Sequence, residues 1–387
     1  MSNLGFLLDV LACSLSSFGG PEAHYGVFSH LLVQKKRYLN EETLSELIGV
    51  FSLVPGPSST QTITAIGYLV GGPWLAFFTF IVWALPAMVI MTMVGVIFAS
   101  LQNSTLLTSM LQVLPAIALG FIAFAGYSLS KKTTKHALDW LIFFVTFILG
   151  VFLLPLSIWM VPGLLLLGGA LKVLTRPVNP QHIVVTVRPP LIWLILLLFF
   201  AVGGPLLANA LNQPWLMLMN RFYRYGYTVI GGGQIVIPLM IQELVNTHSL
   251  ISLETFLSGY AIDQAIPGPL FSFAAFVGVQ ASQATSLTWL VGLGAAFSIF
   301  LPGIFLVYFI VPIWQKIRVN NWVKIFLKGI GVSVSALIVL TAINQTIQLS
   351  PDWITYVFIG LTFALLVIKK LPAPLVVLLL SGVALII

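Results

Sequence analysis

Charge is what this sequence lacks. Of its 387 residues only 7% are Asp, Glu, Lys or Arg, against about 25% in an ordinary soluble domain. So few charged side chains cannot cover a water-facing surface, which excludes a soluble globular protein. Cysteine is nearly absent as well. Cys13 is the only one, which excludes an internal disulfide and a cysteine-based metal cluster. No Lys or Arg precedes Lys35 and Asp9 interrupts the first apolar stretch, a poor secretory signal, so the N-terminus is expected to be retained. A G-x-x-x-x-G-K-[ST] loop and metal-ligand spacings of His, Cys and Glu are missing too. ATP is therefore not expected as the energy source, nor any cofactor or metal. The formal charge of +7 reads as a topology signal and not as a nucleic-acid footprint.

What is present is apolar. Hydrophobic residues make up 59% of the chain and the mean hydropathy is +1.06. Long apolar runs cover Trp74–Leu101, Leu107–Ser130, Ala137–Leu154, Leu191–Leu211, Trp289–Val311, Ile325–Ile343, Trp353–Ile368 and Leu371–Ile387. Most have the roughly 17–25 residues that a spanning helix needs. The fold class is an all-α polytopic membrane protein, with the lipid bilayer as its main partner.

The chain is also duplicated. "VPGPSSTQ" contains Pro55-Gly56-Pro57, and a second Pro-Gly-Pro, Pro267-Gly268-Pro269, follows 212 positions later. Sliding the sequence by 212 aligns Phe18–Pro57 without a gap, with nine identities in 40 positions, concentrated in Gly, Pro and helix-start residues. Further on, "LPA" at 85–87 meets "LPG" at 301–303 with a shift of 216. Periods of this size mean paired bundles. Basic residues set the orientation. The first copy carries Lys35, Lys36, Arg37, Lys131, Lys132, Lys135 and Lys172, and the matching places in the second are uncharged. The second copy instead carries Lys316, Arg318, Lys324 and Lys328, where the first has none. Complementary basic loops mean opposite orientation under the positive-inside rule. The apolar segment Leu191–Leu211 has no counterpart and supplies the extra crossing. With Lys35–Arg37 inside, 15 of 17 basic residues fall inside. The expected organisation is a first repeat at 1–178, a linker and connector helix at 179–212, and a second, inverted repeat at 213–387.

Each copy is broken twice, at Gly19-Gly20-Pro21 against Gly231-Gly232-Gly233, and at the paired Pro-Gly-Pro motifs. Proline removes a backbone donor and glycine loosens the chain. In lipid such breaks survive where they are buried in protein or line a cavity. The half-helix beyond a break starts with unpaired N–H groups and a positive dipole end, which is an anion site. Ser58, Ser59, Thr60 and Gln61 are expected to open one half-helix, with Ser272 opening its mate and Gln264 preceding it. These small neutral donors suit an oxyanion that must also leave.

Of the acids, Glu41, Glu42, Glu46 and Glu254 read as helix-start or amphipathic charges, with Asn40 and Ser252 as N-caps. Asp139 reads as a helix-end pair with Lys135. Asp9, Glu22, Glu243 and Asp263 lie in or beside apolar segments, where an acid is functional by default. Glu22, His24 and Asp263 sit next to the breaks and are the candidates for proton coupling. Arg221 and Arg224 are the two basic residues that the topology leaves outside or within the membrane. They are candidates for attracting an anion at the outer mouth, or for an interfacial belt with the neighbouring tyrosines. The remaining Phe, Trp and Met residues read as lipid-facing or packing residues.

"SFGGPEAHYGVF", "VPGPSSTQ", "GYLVGG", "GGGQIVIPLM" and "GYAIDQAIPGPLFSFAAFVG", in this order and spacing, resemble the chromate transporter family in its two-domain form, over nearly the whole chain. The resemblance implies a secondary transporter that exports chromate, with sulfate as the isosteric competitor. It implies functional roles for Gly19, Gly20, Pro21, His24, Pro55 to Ser59, Gly231, Gly232, Gly233, Gln234, Gln264, Pro267, Gly268 and Pro269. One departure matters: the first copy has Ser52 where the second has Gln264. The expected function is a secondary active chromate exporter in the plasma membrane, driven by protons or exchange, and not an enzyme. A sulfate or other oxyanion transporter and a passive anion channel are the alternatives. A membrane-bound reductase is disfavoured by the single cysteine. A homodimer is left open.

Overall fold

The structure is a computed structural model. It describes residues 2–52, 54–101, 105–153, 160–175, 189–229, 236–282, 287–313, 321–349, 352–368 and 371–384. Among them the chain is helical. The first half contains α1 (Asn3–Ser16), α2 (Pro21–Phe28), α3 (Glu41–Phe51), α4 (Ser58–Ser100), α5 (Thr105–Thr133), α6 (Ala137–Leu153) and α7 (Met160–Leu174). After α8 (Leu191–Leu211) come α9 (Pro214–Thr228), α10 (Val236–Met240), α11 (Leu253–Ala265), α12 (Phe273–Ala281), α13 (Thr288–Ile310), α14 (Asn321–Gln348), α15 (Trp353–Ile368) and α16 (Ala373–Ala384). Five helical stretches among the described residues are long and apolar enough to cross a membrane: 58–100, 113–133, 191–211, 288–313 and 328–348. The protein is an all-α, multi-pass membrane protein.

The 212-residue offset reaches below the level of sequence identity. α2 widens into a π-helical segment at Ser29–Lys35, and α10 widens into another at Ile241–Thr247. Two residues past the end of each comes a residue in the left-handed region, Arg37 (φ 56°) and Ser249 (φ 48°). The wide turns close alike: Tyr38 N–H donates to Leu32 C=O at 2.8 Å, and Leu250 N–H donates to Leu244 C=O at 2.7 Å. Asn40 and Ser252 cap the next helices by accepting from the N–H groups of Thr43 (2.8 Å) and Thr255 (3.1 Å), as their positions predict.

Compactness divides the chain differently from sequence. One unit gathers Met1–Ser100, Val184–Gly233 and Asp263–Arg318; the other gathers Leu101–Ile183, Gln234–Ile262 and Val319–Ile387. Each draws on both halves. In the first unit α12 packs between α4 and α13, while α1 packs on α4 and α9 on α13. In the second, α14 packs on α5, α6 and α7, and α15 and α16 pack on α5. There the structure corrects one reading. Asp139 does not take the Lys135 side chain as its partner. It accepts the backbone N–H groups of Lys135 and His136 at 3.1 and 3.0 Å and forms a buried ion pair with Lys172. A carboxylate that caps its own helix start satisfies the first-turn donors, and burial demands a cation for it.

α4 is also longer than the apolar run that announces it. It begins at Ser58 and runs to Ser100 through a kink where Gly72 takes φ 79°. Its first part is the half-helix expected after Pro-Gly-Pro, and its second part is the spanning run from Trp74. In the second copy the equivalent half-helix, α12, ends at Ala281 before α13 begins.

Candidate functional site

All the breaks whose backbone is described belong to the first unit, and they are bonded across the repeats. Gly56 and Gly268 have φ of 121° and 128°, a region that a side chain makes costly. Gly56 donates its N–H to the carbonyl of Val229 at 2.7 Å, and Gly268 donates its N–H to the carbonyl of Ser17 at 2.8 Å. Ser17 and Val229 are themselves 212 apart. Each Pro-Gly-Pro of one copy is thus tied to the end of the first helix of the other, in the reciprocal pattern of a two-fold interface. A second reciprocity backs the first. A methyl group on Gly56 would stand 3.0 Å from Gly303 Cα, and one on Gly268 would stand 2.5 Å from Ala87 Cβ. The "LPA" and "LPG" segments are the floors on which the opposite copy's turn rests.

The side chains on this symmetric backbone are not symmetric. α4 opens with Ser58, Ser59, Thr60 and Gln61, all buried. His24, on α2 just past Gly19-Gly20-Pro21, is fully buried and places Nδ1 3.0 Å from Ser59 Oγ. Its ring meets Trp83 edge-on with centroids 5.3 Å apart. Trp83 donates its indole N–H to Thr60 Oγ1 at 3.1 Å and accepts Ser14 Oγ on its carbonyl at 2.8 Å. Gln61 donates from Nε2 to the carbonyls of Pro55 (2.8 Å) and Gly303 (3.3 Å), so it braces the turn. Trp83, in the second part of α4, is a buried packing residue, as expected of the tryptophans, and it also hydrogen-bonds the first half-helix. Nothing in the sequence distinguishes it from the other tryptophans, because the kink that folds it back on the half-helix is a tertiary feature.

At the second Pro-Gly-Pro, Ser272 donates Oγ–H to Asp263 Oδ1 at 2.8 Å, with both residues buried. Ser272 and Thr60 are equivalent positions. Gln264 is buried too, and its Nε2 has no partner. Ser17 Oγ, His24 Nε2 and Gln61 Oε1 are also buried without partners. Buried polar atoms are normally satisfied, and these four lie on or beside the broken segments, while Thr64, Gln345 and Ser381 hold others elsewhere. Gln264 Nε2 is a donor, Gln61 Oε1 an acceptor, Ser17 Oγ can be either, and His24 Nε2 donates in the tautomer that carries its proton there.

The other predicted residues are placed as follows. Gly19 and Gly20 form the first break, with φ 80° and 98°, and Pro21 starts α2. Arg221 and Arg224 lie half-buried in the last two turns of α9, ahead of Val229. Asp9, midway along α1, pairs with Lys36 at 2.9 Å and accepts the Tyr38 hydroxyl at 2.7 Å. Gly231, Gly232, Gly233, Gln234 and the side chain of Glu22 lie outside the described residues.

Over residues 4–173 and again over 216–386 the sequence matches the family model described as Chromate transporter. The chain belongs to the chromate transporter family. This is a family of transporters and not of enzymes. An uncharacterized transporter of Methanocaldococcus jannaschii is 25% identical over 383 residues, covering 98% of this chain and 92% of that protein. A chromate transport protein of Cupriavidus metallidurans is 25% identical over 384 residues, covering 95% and 88%. One of Pseudomonas aeruginosa is 22% identical over 356 residues, covering 91% and 83%. No solved structure matches.

Proposed function

We propose that this member of the chromate transporter family is a secondary active exporter of chromate in the plasma membrane, coupled to protons or to exchange. The anion is held at the start of α4. The observation that carries this reading is the arrangement there: a half-helix N-terminus lined by neutral Ser and Thr, with the buried, unpartnered His24 Nε2 beside it. The positive helix end and fixed dipoles attract a dianion in a low-dielectric setting, and the absence of a fixed cation on α4 lets it leave. Ser58 supplies a donor and so does His24 through Nε2–H, the Ser59 hydroxyl then donating to His24 Nδ1 and fixing that tautomer. Gln264 and Ser272 face the same task from the second copy, and Arg221 and Arg224 draw the anion toward the mouth. Glu22, His24 and Asp263 are the groups able to carry a coupled proton. The chain is read as two repeats, 1–178 and 213–387, oppositely oriented around the connector 179–212, and the crossed bonds of Gly56 and Gly268 support that reading. Alternating access then consists of one repeat moving against the other.

The test is chromate uptake into inside-out vesicles, with and without a proton gradient, and with excess sulfate. Saturable, gradient-dependent uptake that sulfate inhibits is expected. Flux that ignores the gradient and fails to saturate would make the protein a channel. Sulfate uptake without chromate uptake would move the substrate assignment to sulfate.

A further inference from the structure

The two half-helix starts differ in one charge. On the second, Asp263 already occupies the position that an incoming anion would take, since its carboxylate receives the Ser272 hydroxyl at the entry to α12. Its counterpart in the first copy is Phe51, and the counterpart of Ser272, Thr60, receives the neutral indole N–H of Trp83 instead. The two starts are close neighbours along α4. Trp83 serves the first, and Ala87, one turn later on the same face, is the floor under Gly268. Buried polar atoms without partners flank the second start as well, in Gln264 Nε2 and in Ser17 Oγ, whose own carbonyl holds Gly268.

Charged groups around Asp263 are few. α4, α12 and α13, which pack on the Leu270–Ser272 turn, contain no Asp, Glu, His, Lys or Arg, and Tyr68 and Tyr308 are their only titratable residues. The α1–α2 break brings His24 and Glu22, the latter with its side chain outside the described residues. α1 contributes Asp9, already paired with Lys36. α9 contributes Arg221 and Arg224 with Tyr223, Tyr225 and Tyr227, and α11 itself contributes Glu254 and the buried Tyr260.

We propose that Asp263 is a built-in competitor of the transported oxyanion, so that the dianion and one proton are taken up together, the proton on the Asp263 carboxylate. This rests on the anion site proposed above. An ionised carboxylate and a dianion repel in a low-dielectric site. Protonation removes that repulsion and releases the Ser272 hydroxyl and the α12 N-terminus for the anion. An imidazole offers an N–H in its neutral form, so His24 needs no proton to receive the same anion. By linkage, anion binding raises the proton occupancy of Asp263 as much as protonation favours the anion.

The experiment is calorimetric titration of purified full-length protein with chromate, and separately with sulfate, in buffers of different ionisation enthalpy across pH. Wild type is expected to take up about one proton per anion, with affinity falling roughly tenfold per pH unit above the midpoint. Asp263→Asn should bind without proton uptake and with a flat pH profile. His24→Gln should retain the uptake. Should Asp263→Asn fail to fold, Ser272→Ala serves instead. It keeps the carboxylate but removes the hydrogen bond that favours its charged form, so the midpoint should move to higher pH. Anion binding by wild type without proton uptake overturns the proposal and leaves the anion site standing. Uptake lost in His24→Gln but kept in Asp263→Asn overturns it in favour of His24. Failure of folded wild type to bind either anion overturns the anion site and this proposal together.

Discussion

The two Pro-Gly-Pro turns share a backbone and little else. Both place glycine at φ near 125° (121° and 128°), both donate that N–H across to the other copy, and both rest on a Leu-Pro-Ala or Leu-Pro-Gly floor. Yet the first is followed by Ser58, Ser59, Thr60 and Gln61 and attended by His24 and Trp83. The second is followed by Leu270, Phe271, Ser272 and Phe273 and attended by Asp263. The positions matching His24 and Trp83 hold Val236 and Ile299. The shared backbone shows what the two Pro-Gly-Pro turns have in common: a crossing point at which the glycine N–H bonds to the opposite copy. The divergent side chains match the proposed function, which asks for one neutral donor-rich start and one that carries a carboxylate. A duplicated transporter can therefore keep its crossing geometry two-fold while its chemistry is one-sided.

The sharpest way to break the comparison is to attack the shared backbone. Gly56→Ala and Gly268→Ala each force a side chain into a positive-φ position, at about 1–3 kcal/mol before any overlap. The overlaps differ. At Gly56 the new methyl stands 2.8 Å from Gln61 Nε2 and 3.0 Å from Gly303 Cα, whereas at Gly268 it meets only Ala87, at 2.5 Å. Both variants should lower the thermal midpoint of detergent-solubilised protein by several degrees and abolish transport. Ala87→Gly should restore part of the loss in Gly268→Ala and none in Gly56→Ala. Equal stability of both single variants and wild type would mean that the crossed turns do not hold the repeats as described.

The next test separates the chemistry. Ser59→Ala removes a hydroxyl from the first start and strips His24 Nδ1 of its partner. Chromate transport should fall at least about tenfold, as expected when a hydrogen bond to a charged group, worth about 1.5–3 kcal/mol, is lost. The matching Phe271→Ala should cost stability through lost packing and leave the apparent affinity for chromate within a few-fold. If the two variants weaken chromate affinity alike, the anion is shared equally between the starts. His24→Gln keeps a donor but cannot titrate, so transport should weaken a few-fold with an unchanged pH profile. A flattened profile would move the coupled proton to His24.

Much of this asymmetry is legible in the sequence, and most of the symmetry is not. Ser58 to Gln61, His24 and Asp263 stand beside Gly and Pro clusters in otherwise apolar sequence, and polar residues in that setting have few structural excuses. The offsets of 212 and 216 can be read from the Gly, Pro and helix-start identities. The left-handed pair Arg37 and Ser249 cannot, because the residues differ, and neither can the π segments before them, where only Leu32 and Val33 meet identical residues. The bonds of Gly56 to Val229 and of Gly268 to Ser17 join residues far apart in the chain, and no local pattern announces them. The role of the "LPA" and "LPG" floors is hidden for the same reason. Asp139 was read with the wrong lysine, because a sequence neighbour at i−4 is visible and Lys172 is 33 residues away.

Trp83 offers the finest of these tests. Trp83→Phe keeps an aromatic ring against His24 and Phe28 but removes the indole N–H that Thr60 Oγ1 accepts. The deletion leaves a buried hydroxyl short of one donor, which should cost about 1 kcal/mol of stability and a shift of a few degrees in the thermal midpoint. Thr60 is then free to reorient its own O–H. In the second copy the equivalent hydroxyl, Ser272, spends its proton on Asp263. If Trp83 matters because it keeps the first start neutral and fixed, chromate affinity should drop only two- to three-fold and proton uptake per anion should not change. A change in proton uptake would mean that Trp83 couples the two starts, and that the division between a neutral and a titrating half-helix is drawn too sharply.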